Sequence, residues 1–282
     1  MKFPPHQGSV ASLTPTICHL LGVKAPGISE EPPLDMVISS LEQKNIPLQK
    51  CLVIAQDALG AHLWGSHESD LRKILPLVPL RVPLRAAFPP VTPVCFASIF
   101  TGVQPDVHGI HSYTKPVLEC DTLFDALVRA DKRVAIVSVE NSSIDMIFRN
   151  RDIAYFSEED DEAVCERTLE VIRGDEYDVI IAYQADYDDN LHQSDPFSSI
   201  CIQALRRHIR DFIKMAEAAN QHWKDKGHVV AFTPDHGAHI DPSTGKGDHG
   251  LDIPEDMNLF HCYGIYTRNK LGPAGSNLDS VD

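Results

Sequence analysis

Four short apolar runs decide what this chain can fold into: CLVIAQ at 51–56, RVAIVSV at 133–139, YDVIIAY at 177–183 and HVVAF at 228–232. Each is dominated by Val, Ile, Leu and Ala without polar alternation, the pattern of a strand buried on both faces. Such strands belong to parallel sheets covered by helices on either side. Three of the runs lead into carboxylates. Asp57 follows the first, Asp186, Asp188 and Asp189 follow the third, and Asp235 follows the fourth. Open α/β sheets bind ligands beyond the carboxyl ends of their strands, so a parallel sheet would gather these acids on one edge. Carboxylates packed at about 4 Å repel by roughly 1 kcal/mol in water and about 4 kcal/mol per pair near a protein surface, so such a cluster needs cations.

Histidines accompany the acids. His192 stands four residues after Asp188, within reach of a shared ion if the segment is helical or tightly turned, with Asp186 as the competing ligand. Asp235 is followed directly by His236 in TPDHG, and His249 comes thirteen residues later in GKGDHG. Mixed Asp and His donors suit zinc or manganese better than calcium or magnesium, and two such ions suit in-line displacement at phosphorus. The plain alternative for Asp57 is a helix cap.

The segment PPVTPVCFASIFTGVQPDVHG at 89–109 offers a nucleophile. Pro93 suits the first position of a helix, which puts Thr92 at the N-cap of a short apolar helix stopped by Gly102 and Pro105. An anion fits at such a helix start, although Thr92 could equally serve as a cap alone. Ser98 lies nearly two turns further in, and Cys95 reads as a small buried apolar residue.

The order of these motifs resembles the alkaline phosphatase superfamily, which includes sulfatases, nucleotide pyrophosphatase/phosphodiesterases and cofactor-independent phosphoglycerate mutases. Thr92 stands nine before Thr101-Gly102, followed by Pro105 and His108-Gly109, as the nucleophile does in sulfatases and pyrophosphatases. The resemblance spans about residues 51–266 and is nearest to the type I phosphodiesterase/nucleotide pyrophosphatase family. It implies an α/β fold, a three-layer α/β/α sandwich with a mainly parallel central sheet. It also implies one ion held by Asp57, Thr92, Asp235 and His236, and another by Asp188, His192 and His249, with Thr92 as the nucleophile. Departures narrow the choice. Phe96 stands where sulfatases carry Arg, and Cys95 stands where pyrophosphatases usually carry an Asn that contacts the oxyanion. No interval is long enough for the inserted cap domain of the mutases.

Elsewhere the chain reads more plainly. At 282 residues and 43% hydrophobic it can bury one large core, and 1–282 is expected to be a single domain. The seven cysteines lack CxxC spacing, and neither a leader nor a membrane span is evident, which points to a reduced, cytoplasmic setting. A net charge of −15 argues against nucleic acid or anionic lipid as partner and leaves a small phosphoester, which would need local cations. Near the N-terminus, SLTPTICHLLGVKAP reads as a helix capped by Thr14, with Pro15 first and Gly22 past the end. It resembles a segment that sulfatases and mutases carry near their C-terminus, so residues 9–50 are expected to be permuted. Helices are expected at 34–44, around 71–75, and at 123–130, 158–173 and 196–226, with strands at 153–156 and 259–266. The acidic run 158–162 reads as a solvated helix start, and the tail from Asn269 as loose. The expected activity is a two-metal phosphodiesterase or pyrophosphatase. A phosphomonoesterase, a phosphonate hydrolase or a catalytically silent metal-binding relative is the alternative.

Overall fold

The computed structural model describes residues 3–42 and 48–267. Its strands are β1 (Lys50–Gln56), β2 (Leu80–Arg85), β3 (Val134–Val139), β4 (Ala154–Glu158), β5 (Val179–Gln184), β6 (His228–Phe232), β7 (His239–Ile240), β8 (Gly247–Asp248) and β9 (Asn258–Tyr266). Seven form the central sheet in the order β2-β9-β6-β1-β5-β3-β4, and β7 with β8 makes a small antiparallel ribbon. The helices are α1 (Leu13–Leu21), α2 (Asp35–Glu42), α3 (Ala61–Ser66), α4 (Glu68–Leu71), α5 (Thr92–Thr101), α6 (Pro105–His108), α7 (Leu123–Arg129), α8 (Ser143–Ile147), α9 (Asp161–Gly174), α10 (Asp186–Leu191), α11 (Ser199–His222) and α12 (Pro254–Met257).

The apolar runs are buried on both faces because helices cover both. In β1, Cys51, Val53 and Ala55 join the core under α1, α5, α7 and α8, while Leu52 and Ile54 join the core under α9 and α11. Each fully buried Val, Leu or Ile contributes about 1.5–3 kcal/mol relative to exposure. β1 pairs in parallel with β5 on one side and β6 on the other, Cys51 facing Val179 and Val229. β3 and β4 extend the parallel part. The last strand, β9, lies antiparallel between β6 and β2, so the sheet is mainly rather than wholly parallel. β2 is an edge strand, which accommodates Pro83. Its outer side is covered by the N-terminal segment, where Gln7 N–H donates to Pro83 O (2.8 Å) and Arg85 N–H to Gly8 O (3.2 Å).

At the starts of α1 and α9 the sequence expectations need correction. Thr14 does not cap α1. A 3-10 turn at Val10–Ser12, capped by the Ser9 side chain, precedes the helix, and the buried Thr14 hydroxyl donates to Ile99 O of α5 (2.7 Å). Gly22, left-handed at φ 66°, ends α1 as expected. The acidic run before α9 is not simply solvated: Asp160 caps the helix, but Asp161 is 5% exposed. The expected extension of α2 to Lys44 and the tail from Asn269 lie outside the described residues. All seven cysteines are unpaired, and no helix among the described residues is long and apolar enough to cross a membrane.

Candidate active site

β1, β5 and β6 are neighbours running the same way, so their carboxyl ends share one edge of the sheet. Asp57 follows β1, Asp188 lies on α10 just after β5, and Asp235 lies three residues after β6. Backbone pairing continues past the strands, with Asp57 N–H on Gln184 O (3.1 Å) and Thr233 N–H on Ile54 O (3.0 Å). The three acids are thereby held at fixed spacing.

Asp57, Asp235 and His236 form one group, their ligand atoms within 4.8 Å of one another, and Asp188, His236 and His249 form a second. His236 Nε2 lies 3.4 Å from Asp57 Oδ1 and 3.3 Å from Asp235 Oδ2. His249 Nε2 lies 3.5 Å from Asp188 Oδ1 and 3.1 Å from His192 Nε2, and His192 Nε2 is 3.4 Å from Asp188 Oδ2. His236 thus stands between the groups, its ring stacked on that of His249 with centroids 4.1 Å apart. Asp186 is turned away, its Oδ2 accepting from Arg207 at 2.9 Å.

Backbone contacts orient these side chains. His236 Nδ1–H donates to Gly237 O (3.0 Å) and His249 Nδ1–H to Pro90 O (2.9 Å), which leaves each Nε2 lone pair facing the carboxylates. Asp235 Oδ1 accepts from Ala58 N–H (3.2 Å) and His236 N–H (3.0 Å), while Asp57 Oδ2 accepts from the Tyr183 hydroxyl. The remaining oxygens, Asp57 Oδ1, Asp235 Oδ2 and Asp188 Oδ1, are buried without a hydrogen-bond partner. Buried polar atoms are rarely left so. Three orphaned carboxylate oxygens facing imidazole lone pairs make a donor set that fits divalent cations.

The protonation behaviour agrees with this crowding. Burial pushes Asp57 and Asp235 well above the usual carboxylate range, with the charge of Asp188 adding to the effect on Asp57 and that of Asp57 to the effect on Asp235. Burial also raises Asp188, but the hydrogen bond from His192 and the charges of His249 and His236 outweigh it and leave Asp188 low. Burial pushes His249 down to about 4.

α5 starts one residue earlier than its sequence suggests: Val91 is the N-cap and Thr92 the first helical residue. Thr92 therefore does not cap, and its Oγ1 lies 3.4 Å from His236 Nε2. Ser98 Oγ is engaged with His108 Nε2 (3.0 Å), deeper in the core. The Cys95 thiol is buried toward Ala87 O, and burial together with the charge of Asp235 pushes it well above its ordinary value. Phe96 packs edge-on against Tyr183 with centroids 5.3 Å apart, so no cation stands at that position.

Tyr183 was not anticipated. Its signal is its place near the end of β5, opposite Ala55 and so on the face toward which Asp57 points.

No protein-family model and no curated protein sequence matches this chain. Solved structures do. A 2-O GAG sulfatase superposes with TM-score 0.56 at 12% identity, over 77% of this chain and 64% of that one. An inactive threonine-to-alanine variant of murine ectonucleotide pyrophosphatase/phosphodiesterase 5, in complex with AMP, gives 0.54 at 15% identity, over 68% and 58%. Phosphonoacetate hydrolase from Sinorhizobium meliloti 1021, in complex with phosphonoformate, gives 0.52 at 16%, over 71% and 59%. The fold is alkaline phosphatase-like. All three neighbours belong to the alkaline phosphatase superfamily. The chain spans less than two thirds of the length of each. Within its alkaline phosphatase-like sheet, all seven residues singled out by sequence lie around one strand edge.

Proposed function

We propose that this chain is a metal-dependent hydrolase of phosphoester bonds, favouring diesters or pyrophosphates over monoesters, with Thr92 as the nucleophile. In this reading Asp57, Thr92, Asp235 and His236 hold one divalent ion and Asp188, His192 and His249 the other, zinc or manganese. When bound, the ions supply positive charge that lowers the pKa of the Thr92 hydroxyl and offsets charge on the substrate. Thr92 Oγ, its proton passed to water, attacks phosphorus in line. The bond to the leaving oxygen breaks, that oxygen departs with the bonding pair and takes a proton from water, and a phosphothreonine forms. Water then attacks the same phosphorus, the bond to Oγ breaks, and Thr92 is restored. The N–H groups at the start of α5 face the anion throughout.

The observation that carries this reading is the Thr92 hydroxyl at the start of a buried helix, making no capping bond and meeting His236 Nε2 at 3.4 Å, in a site whose carboxylates leave three oxygens without partners. The threonine exchanged in the inactive pyrophosphatase/phosphodiesterase neighbour supports the same choice. The buried Phe96 disfavours sulfate esters. The phosphonoacetate hydrolase neighbour keeps phosphonates in view.

The test is turnover of a panel of phosphodiesters, nucleotides, monoesters and phosphonates with added zinc or manganese. The expected result is metal-dependent hydrolysis, led by a diester or pyrophosphate, that falls by several orders of magnitude in Thr92→Ala while bound metal persists. Near-normal kcat in metal-loaded Thr92→Ala overturns the assignment of the nucleophile, and ion-free wild-type protein overturns the ligand sets.

A further inference from the structure

The acidic run at the start of α9 contributes a buried carboxylate, Asp161. Asp161 Oδ1 accepts from Ala185 N–H (2.8 Å), and its Oδ2 accepts from Asp186 N–H (3.0 Å) and from His208 Nε2–H (2.6 Å). His208 lies on α11 and is fully buried. The N-cap residue of α10 is Ala185, which has no side-chain acceptor to offer, so a carboxylate from another helix satisfies the first N–H groups. Side-chain amides continue the network. Gln184 Nε2 donates to Asp161 O (3.1 Å), and Gln56 Nε2 donates to Gln184 Oε1 and to His208 O (2.7 Å each). Gln56 and Gln184 are cross-strand partners at the ends of β1 and β5. One buried network therefore touches both strand ends that lead into Asp57 and Asp188.

We propose that Asp161 and His208 form a positioning pair for the ion-binding site, fixing the start of α10 so that Asp188 and His192 meet His249. It rests on the reading of those residues as ion ligands. A buried ion pair on its own is weak evidence for stability, so what matters is where these hydrogen bonds go. They go to one helix, the one that carries Asp188. The far end of that segment is tied separately, Gly247 N–H donating to Ser194 O (2.7 Å), which joins α10 to the ribbon leading to His249. Burial raises the Asp161 carboxyl, but the hydrogen bond and charge of His208 outweigh it, and the group stays ionised as an acceptor.

The experiment is zinc release from the full chain, titrated against a competing chelator. One step of the titration is identified by its loss in His249→Ala, the other by its loss in Asp235→Asn. Asp161→Asn keeps the size of the side chain but turns one acceptor into a donor facing other donors. The His249 step should weaken about 10- to 100-fold while the Asp235 step holds. Asp160→Ala is the matched control. It removes the cap on Ala163 N–H (2.9 Å), lowers the melting temperature, and should leave both steps unchanged. His208→Gln should restore most of the affinity that His208→Leu loses, and this pair decides the matter if Asp161→Asn does not fold. Unchanged steps in Asp161→Asn, or equal weakening of both steps in Asp161→Asn and Asp160→Ala, overturn the proposal alone. Wild-type protein that takes up no zinc overturns the ligand reading and this proposal with it.

Discussion

Replacing Gly237 with alanine asks a methyl group to occupy space that the Glu255 carbonyl already fills. A Cβ there would lie 2.0 Å from Glu255 O, 3.1 Å from its carbon and 3.3 Å from Gly60 Cα, whereas ordinary contact starts at 3.4 Å. The backbone must therefore open by about 1.4 Å. Neither side is free to move. Gly237 N–H donates to Asp256 O (2.8 Å), and the buried Asp256 carboxylate also holds Leu251 N–H (2.9 Å) and His239 Nδ1–H (2.8 Å). Overpacking of this kind costs about 1–3 kcal/mol. At roughly 2–4 °C per kcal/mol for a domain near this size, Tm should fall by about 2–12 °C. The change also reaches the chemistry, because His236 Nδ1–H is anchored on Gly237 O, and a 1 Å misplacement of a site group can cost about 100-fold in rate. Thermal melts, ion content by mass spectrometry and turnover read the three effects. Gly65→Ala on α3 is the control, since a Cβ there meets nothing within 4 Å. An alanine inside a helix gains about 0.5–1 kcal/mol over glycine, so that variant should match or exceed wild-type Tm. Wild-type Tm, ion content and kcat in Gly237→Ala would refute the reasoning.

Removing metal with a chelator should lower Tm, because an ion at 100 times its Kd stabilises by about 2.7 kcal/mol, and zinc or manganese should restore it; a Tm indifferent to chelation contradicts the ion sites. Asp188→Asn should lose one ion and Asp186→Asn neither, because Asp186 is paired with Arg207; equal loss in both would show that the two acids share the role. Asp161 has a depressed folded-state pKa, so its stabilisation is present above the unfolded carboxylate value of about 3.9 and is lost as pH falls through the lower folded value. Urea melts should therefore show the stability gap between wild type and Asp161→Asn narrowing below about pH 4 and holding at pH 6 to 7, whereas a gap constant down to pH 2 would contradict the pairing.

The strands built on apolar runs were legible because their chemistry is local, whereas β2, broken by Pro83, and the two-residue β7 and β8 gave no such run. CLVIAQ and HVVAF are apolar on both faces whatever their neighbours, and an acid beyond each strand end follows from chain order alone. The antiparallel placement of β9 was not legible, since β9 is as apolar as a parallel strand and its direction depends on how the chain returns from α12. Asp161 was misread for a related reason. Its neighbours in sequence are acids at a helix start, while the partner that explains its burial, His208, is 47 residues away. Thr92 was placed one residue off because Pro93 is tolerated at the second helical position as well as the first, and that one residue separates a hydroxyl that caps the helix from one that meets His236. The group at Asp188 could be narrowed to two acids by spacing, but choosing between them needed Arg207.

The position of β9 has a consequence for the order in which the molecule is made. β2 finds its strand partner in β9, whose residues are synthesised more than 170 positions later, and β6 also waits for β9 on one side. Until Asn258–Tyr266 emerges from the ribosome, β2 and β6 each lack the strand that β9 supplies. Unpaired strand edges invite pairing with other chains. Non-local pairing of this kind is also slow to form. The seven proposed ion ligands, Asp57 to His249, all precede that strand in the chain, so a nascent chain carries every one of them while its sheet is still open.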